Sequence, residues 1–158
     1  MKTTMTLCAV SAAAMLTGCS TTQTVTAGPQ AKVAPMSQAC FTPHGGNSRS
    51  TDEAIQRTLE AHSIAVLKAP NCTKDTQGVD LSVDYSDQWW WDIVMYPRSI
   101  DIRFYSAPSG ALIASGHWKN SVVHQFPSID GLVEDLMNDM FAKTGEPGTL
   151  RTTKHAAQ

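Results

Sequence analysis

The chain has no excess of basic residues, few charges of either sign, and no apolar run of membrane-spanning length. Its 12 Lys and Arg are outnumbered by 14 Asp and Glu, and charged residues make up only 16% of it. Binding to a nucleic-acid backbone needs a clustered cationic field, so nucleic acid is excluded as an expected partner. A spanning helix needs about 20 consecutive apolar residues, and the longest apolar stretch, Leu7 to Leu16, falls well short. Gly-x-Ser-x-Gly, Ser-x-x-Lys, His-Glu-x-x-His and P-loop patterns are all missing. No two cysteines stand at Cys-x-x-Cys spacing, which argues against a structural zinc site. The expectation is a protein that is not an enzyme, with no catalytic residues, metal or cofactor.

What is present begins with an address. Lys2 gives a short basic start, and the alanine-rich stretch after it ends in Leu16-Thr17-Gly18-Cys19. A basic start, a short apolar core and small residues at the cut are the parts of a secretory signal peptide. Leu-Thr-Gly-Cys resembles the lipobox of bacterial lipoproteins. That resemblance implies removal of residues 1–18 and acylation of Cys19, whose thiol forms the thioether to the lipid. Several acyl chains hold a protein to a bilayer far more firmly than one. Ser20 stands where enteric-type bacteria place Asp to retain a lipoprotein at the inner membrane. The resemblance therefore implies the outer membrane, with the domain in the periplasm or at the cell surface.

Removing the leader takes the basic count from 12 to 11, because Lys2 is its one charge. Residues 19–36 are rich in Thr, Gln, Ala, Gly and Pro without periodicity, and read as a flexible tether. Residues 145–158 read as a disordered polar tail. One α+β domain is expected over 37–144. Cys8 leaves with the leader and Cys19 is acylated, so Cys40 and Cys72 remain as a pair. In an oxidising envelope they are expected to form a disulfide.

Two helices stand out. One is expected over 51–62, with Ser50 and Glu53 as a capping box and Ala54, Ile55, Thr58, Leu59 and His62 on one face. The other is expected over 128–143, capped by Ser128 and closed by Gly145, with Ile129, Leu132, Val133, Leu136, Met137, Met140 and Phe141 along one stripe. Strands are read near Cys40-Phe41 and at Ile64–Val66. Two more follow from alternation: Val79, Leu81, Val83 and Tyr85, then Ile100, Ile102 and Phe104. A turn at Ala107-Pro108-Ser109-Gly110 leads to a last strand from Leu112 to Trp118. Two helices with one apolar stripe each imply a two-layer α+β sandwich. Both helices lie on one face of a four- to five-stranded, mostly antiparallel sheet. The lipobox, the tether, the strand–turn–strand unit from Ser99 to Trp118 and the closing helix are together similar to small proteobacterial outer-membrane lipoproteins with an α+β domain. The resemblance implies fold and location and transfers no catalytic residue. The Cys40/Cys72 pair and the tryptophan run described next are departures from it.

Trp89-Trp90-Trp91 is the most distinctive feature. Successive strand side chains diverge, so three adjacent indoles cannot all enter one core. The run, extended by Tyr96 and Arg98, is the expected contact surface for an envelope protein, a glycan strand or the bilayer interface, because indoles favour all three. The bland alternative is that the indoles merely cover the open side of the sheet. An inhibitor or immunity-type role against a wall-degrading enzyme is the alternative function, with Ala114-Ser115-Gly116-His117 offered as a protruding strand end. Of the five histidines, His117 and His124 could meet Asp101 in an acid–base or metal site, although unclustered histidines are more often plain surface residues. Asp80, Asp84 and Asp101 form an acidic strand face, either solvated or cation-binding.

Overall fold

A computed structural model describes residues 21–29, 35–68, 72, 76–121 and 126–145. The leader, Cys19, His124, His155 and the tail from 146 onward lie outside the described residues.

Among the described residues the architecture is a six-stranded mixed sheet with two helices on one face. Its strands are β1 (Thr22–Ala27), β2 (Gln38–Phe41), β3 (Ala65–Lys68), β4 (Leu81–Trp91), β5 (Met95–Ser106) and β6 (Leu112–Lys119). Their order across the sheet is β1-β6-β5-β4-β2-β3. The three junctions from β1 to β4 are antiparallel, and β2 runs parallel to both β4 and β3. The α+β class is as expected, but there is one more strand and more parallel pairing. The parallel β2/β3 pair follows from the helix between them, since parallel neighbours need a crossover.

The extra strand is β1, which corrects the reading of residues 22–27 as tether. Thr22, Thr24 and Thr26 alternate with Gln23, Val25 and Ala27, and the β-branched residues suit a pleated surface. Val25 packs against the main core, and the Gln23 side chain donates to Asp139 of the second helix at 2.8 Å. Only one residue of the six is a large apolar one, so hydrophobic alternation could not reveal the strand. At the end of β1, Gly28 passes so close to β6 that a Cβ there would lie 1.9 Å from the Leu112 carbonyl oxygen.

The helices are α1 (Arg49–Ala61) and α2 (Ile129–Thr144). α1 starts earlier than its expected capping box. A single 3₁₀ turn, Gly46–Ser48, leads into it, and Ser48 rather than Ser50 is the N-cap. Neither Ser48 nor Ser128 makes a side-chain cap hydrogen bond. At its far end Ser63 adopts a left-handed φ of 62°. The Ser63 N–H donates to the Glu60 carbonyl and the Ile64 N–H to the Leu59 carbonyl, the pattern that closes many helices. Gly145 ends α2 in the left-handed conformation. The α2 stripe from Leu132 to Phe141 is buried, together with Ile55 and Leu59 of α1 and Ile100, Ile102 and Phe104 of β5. α2 lies so close to β6 at Gly116 that a Cβ there would meet the Met140 sulfur at 2.7 Å.

On the opposite face Cys40 and Cys72 are joined as a disulfide, Cα to Cα 5.8 Å, beside buried Val79 and Ala107. They tie β2 to the chain that follows β3.

Candidate functional site

β4 and β5 outrun the rest of the sheet. β2 pairs with β4 only as far as Val83, and β6 leaves β5 at the Ser99–Lys119 pair. Beyond the Gln88–Ser99 row the sheet narrows to a two-stranded hairpin: Trp89 opposite Pro97, Trp90 opposite Tyr96, Trp91 opposite Met95. Between Gln88–Ser99 and Trp89–Pro97 the register skips Arg98, so β5 carries one extra residue and bulges there. Pro97 sits at that irregularity, where a strand tolerates a residue with no N–H to donate.

The base of the hairpin is anchored by one carboxylate. Asp87 accepts hydrogen bonds from the Ser48 hydroxyl at 2.7 Å, the Thr51 hydroxyl at 2.8 Å and the Trp89 indole N–H at 2.8 Å. It therefore joins β4 to the start of α1 and fixes Trp89 in place. Next to it Asp52, buried in the first turn of α1, accepts from the backbone N–H groups of His44 and Gly45 and from the Tyr85 hydroxyl. The His44 ring stacks on Tyr85 with centroids 4.1 Å apart. Burial first, and the Asp52 carboxylate second, push the Tyr85 pKa well above that of an ordinary phenol, so its hydroxyl stays protonated and donates.

The tip is apolar and open. Trp91 is 74% exposed and Ile93 84%, with Trp90, Val94 and Met95 also exposed. The Arg98 guanidinium lies over the Trp90 ring, 3.6 Å from its centroid. Tyr96 is buried, with its ring edge-on to exposed Phe126 at 5.5 Å. Among the five residues expected to line a contact surface, Trp90 and Trp91 are exposed and Arg98 is half-buried over Trp90. Trp89 is half-buried and hydrogen-bonded, and Tyr96 belongs to the packing beneath. Ile93, Val94, Met95 and Phe126 join the surface without having been marked by the tryptophan run. The available signal was Ile93-Val94 at a hairpin apex, where turn chemistry calls for polar residues.

The other candidates resolve into paired side chains. His117 Nδ1 is 2.8 Å from Asp101 Oδ1 across β6 and β5, with both side chains partly exposed on the open sheet face. Asp84 pairs with Arg103 at 3.2 Å. Asp80 accepts from the Ser37 hydroxyl and amide and from the Gln38 amide. Those bonds, led by the Ser37 hydroxyl, hold its pKa below the usual carboxylate value. The three aspartates thus have separate partners and do not converge on a cation. Ala114 to His117 is no protruding end: it lies inside β6, flanked by β5 and β1.

No protein-family model and no curated protein matches the chain. Solved structures do. PelC from Paraburkholderia phytofirmans, a dodecamer, superposes with a TM-score of 0.55 at 14% identity, over 79% of this chain and 97% of that one. A point variant of that dodecamer gives 0.56 at 13% identity, over 80% and 99%. The likeness is one of fold. A minor lipoprotein from Acinetobacter baumannii matches at a TM-score of 0.33 and 10% identity, over 68% of this chain and 94% of that one, too weak to bear on the comparison.

Proposed function

We propose that the chain is a non-catalytic envelope lipoprotein, acylated at Cys19 and held to the outer membrane, that docks another envelope component through the tip of the β4–β5 hairpin. The observation that carries this reading is the exposed cluster of Trp90, Trp91, Ile93, Val94 and Met95 on a rigidly based hairpin. Exposed large apolar side chains gathered in one place mark an interaction site, whereas scattered ones need no explanation. Trp and Arg together are the residue types that dominate contact energies. The base held by Asp87 means that docking does not have to order the hairpin first, which lowers the cost of association.

The test is photo-crosslinking in intact cells from a reactive residue placed at Ile93, compared with one at Leu67. Leu67 is a partly exposed apolar residue on β3, away from the hairpin. Adducts specific to Ile93, lost when Trp90 and Trp91 are both changed to Ser, are expected. Equal labelling from the two positions rules the docking reading out.

A further inference from the structure

We infer that the component met by the hairpin tip is the interfacial zone of the lipid bilayer that holds the acyl chains of Cys19; this rests on the docking reading above. The register of the sheet carries the inference. Thr22 of β1 pairs with Lys119 of β6, Lys119 with Ser99 of β5, and Ser99 with Gln88 of β4. These four residues form one row across the sheet. The chain enters β1 at Thr22, so it comes from the side of that row on which the hairpin projects.

Two lengths then agree. Cys19 is three residues before Thr22, and three residues of extended chain reach at most about 10 Å. Trp91 is three residues beyond Gln88, a rise of about 10 Å along the strand. The acylation site thus lies within about 10 Å of the row, and the indoles project about as far from it on the same side. They are separated sideways by the three strand spacings from β1 to β4, about 14 Å. A domain attached so closely to lipid at Cys19 cannot hold this end far from the surface.

The chemistry of this end fits a bilayer interface. Among the described residues seven large apolar side chains are exposed, and six are here: the five of the hairpin and Phe126, packed against Tyr96. The seventh, Leu67, lies level with Ser82 through Cys40, toward the other end of the sheet. Tryptophan favours the headgroup level, where its ring is half in hydrocarbon and its N–H is wet. Arg98, stacked on Trp90, and Lys119, in the row behind, stand where phosphate groups would be. Asp92 in the turn opposes deep insertion and confines the tip to the interface. With charges of both signs present, anionic lipid is not required.

The test uses the full acylated chain, extracted from cells and reconstituted into phosphatidylcholine vesicles containing acyl chains brominated near the headgroup end. The protein should float with the vesicles, and Cys19→Ala should greatly weaken that flotation. Two of the four tryptophans, Trp90 and Trp91, sit on the exposed tip, so roughly half of the emission should be quenched. W90F/W91F, which keeps aromatic bulk, should lose most of that quenching while the emission of Trp118 in the core is unchanged. Wild-type protein that floats but is quenched no more than W90F/W91F overturns the inference, as does wild-type protein that does not float. Should quenching fail while Ile93 still crosslinks specifically to a protein, a glycan or a second copy of this chain, the docking reading stands and the bilayer does not. If Ile93 also shows no specific adduct, both fall.

Discussion

The two ends of β4 are built on opposite plans. Around Leu81 and Ser82 the strand has β5 on one side and β2 on the other, with Asp80 hydrogen-bonded to Ser37 and the Cys40–Cys72 disulfide alongside. Around Trp91 it has β5 alone, and its largest side chains face solvent. The same strand spends its apolar residues on a core at one end and leaves them open at the other. A sheet that only needed to fold could have stopped at the Gln88–Ser99 row. Beyond buried Tyr96 and Pro97 and half-buried Trp89, the extra residues stay open to solvent, and on the docking reading their composition reflects what they meet outside the molecule.

This contrast can be broken by substitutions that separate stability from docking. Removing the disulfide, with Cys40 and Cys72 both changed to Ala, should have the largest effect on stability. The bond closes a loop across a separation of 32 residues, and its loss should lower the unfolding free energy by roughly 3–4 kcal/mol, read by denaturant titration. Vesicle quenching of the folded fraction should be unchanged, because the bond is far from the tip. Asp87→Ala comes next, at about 2 kcal/mol. It leaves three partly buried donors without their acceptor and frees the hairpin from α1. Here quenching should fall with stability, and faster amide exchange at Trp89 and Trp90 would show that the hairpin had loosened. Trp91→Ser should change stability least, within about 0.5 kcal/mol, since the side chain is largely solvated. It should nonetheless cost more quenching than either of the others. If Trp91→Ser destabilised the fold as much as Asp87→Ala, the tip would have to be reclassified as part of the core.

Much of the helix-on-sheet layer was legible in the sequence, because burial there leaves a periodic trace. The α2 stripe and the alternation in β4 and β5 mark residues whose other face is wet, and the Ala107–Gly110 turn marked the start of β6. β1 left no such trace: its stability comes from pairing with β6 and from Gln23 reaching Asp139, neither of which shows in a local pattern. The start of α1 departs from the local pattern for a related reason. Ser48 and Asp52 are engaged with β4 and with the preceding loop, so long-range hydrogen bonds replace the expected capping box. In the hairpin, the divergence of adjacent side chains correctly required some indole to be exposed. Which ones depended on the bulge at Arg98 of β5 and on Asp87, both features of the folded chain. Tyr96 reads as a surface residue from its neighbours in sequence, but its packing against Phe126 comes from a segment 30 residues away.

β1 has a consequence for the order in which the molecule is assembled. It is the first of the six described strands to leave the ribosome, and its partner β6 is the last of them. Contacts between such distant parts of a chain form late, because the intervening loop must be closed first. β1 therefore waits without its partner until nearly all of the sheet has been delivered. On the lipoprotein reading proposed above, that interval is when the enzymes that cut and acylate the chain at Cys19 would have access to it. Once β1 closes on β6, Thr22–Ala27 is locked into a sheet edge, so on that reading maturation of the N-terminus and completion of the sheet would be steps of one sequence, and in that order.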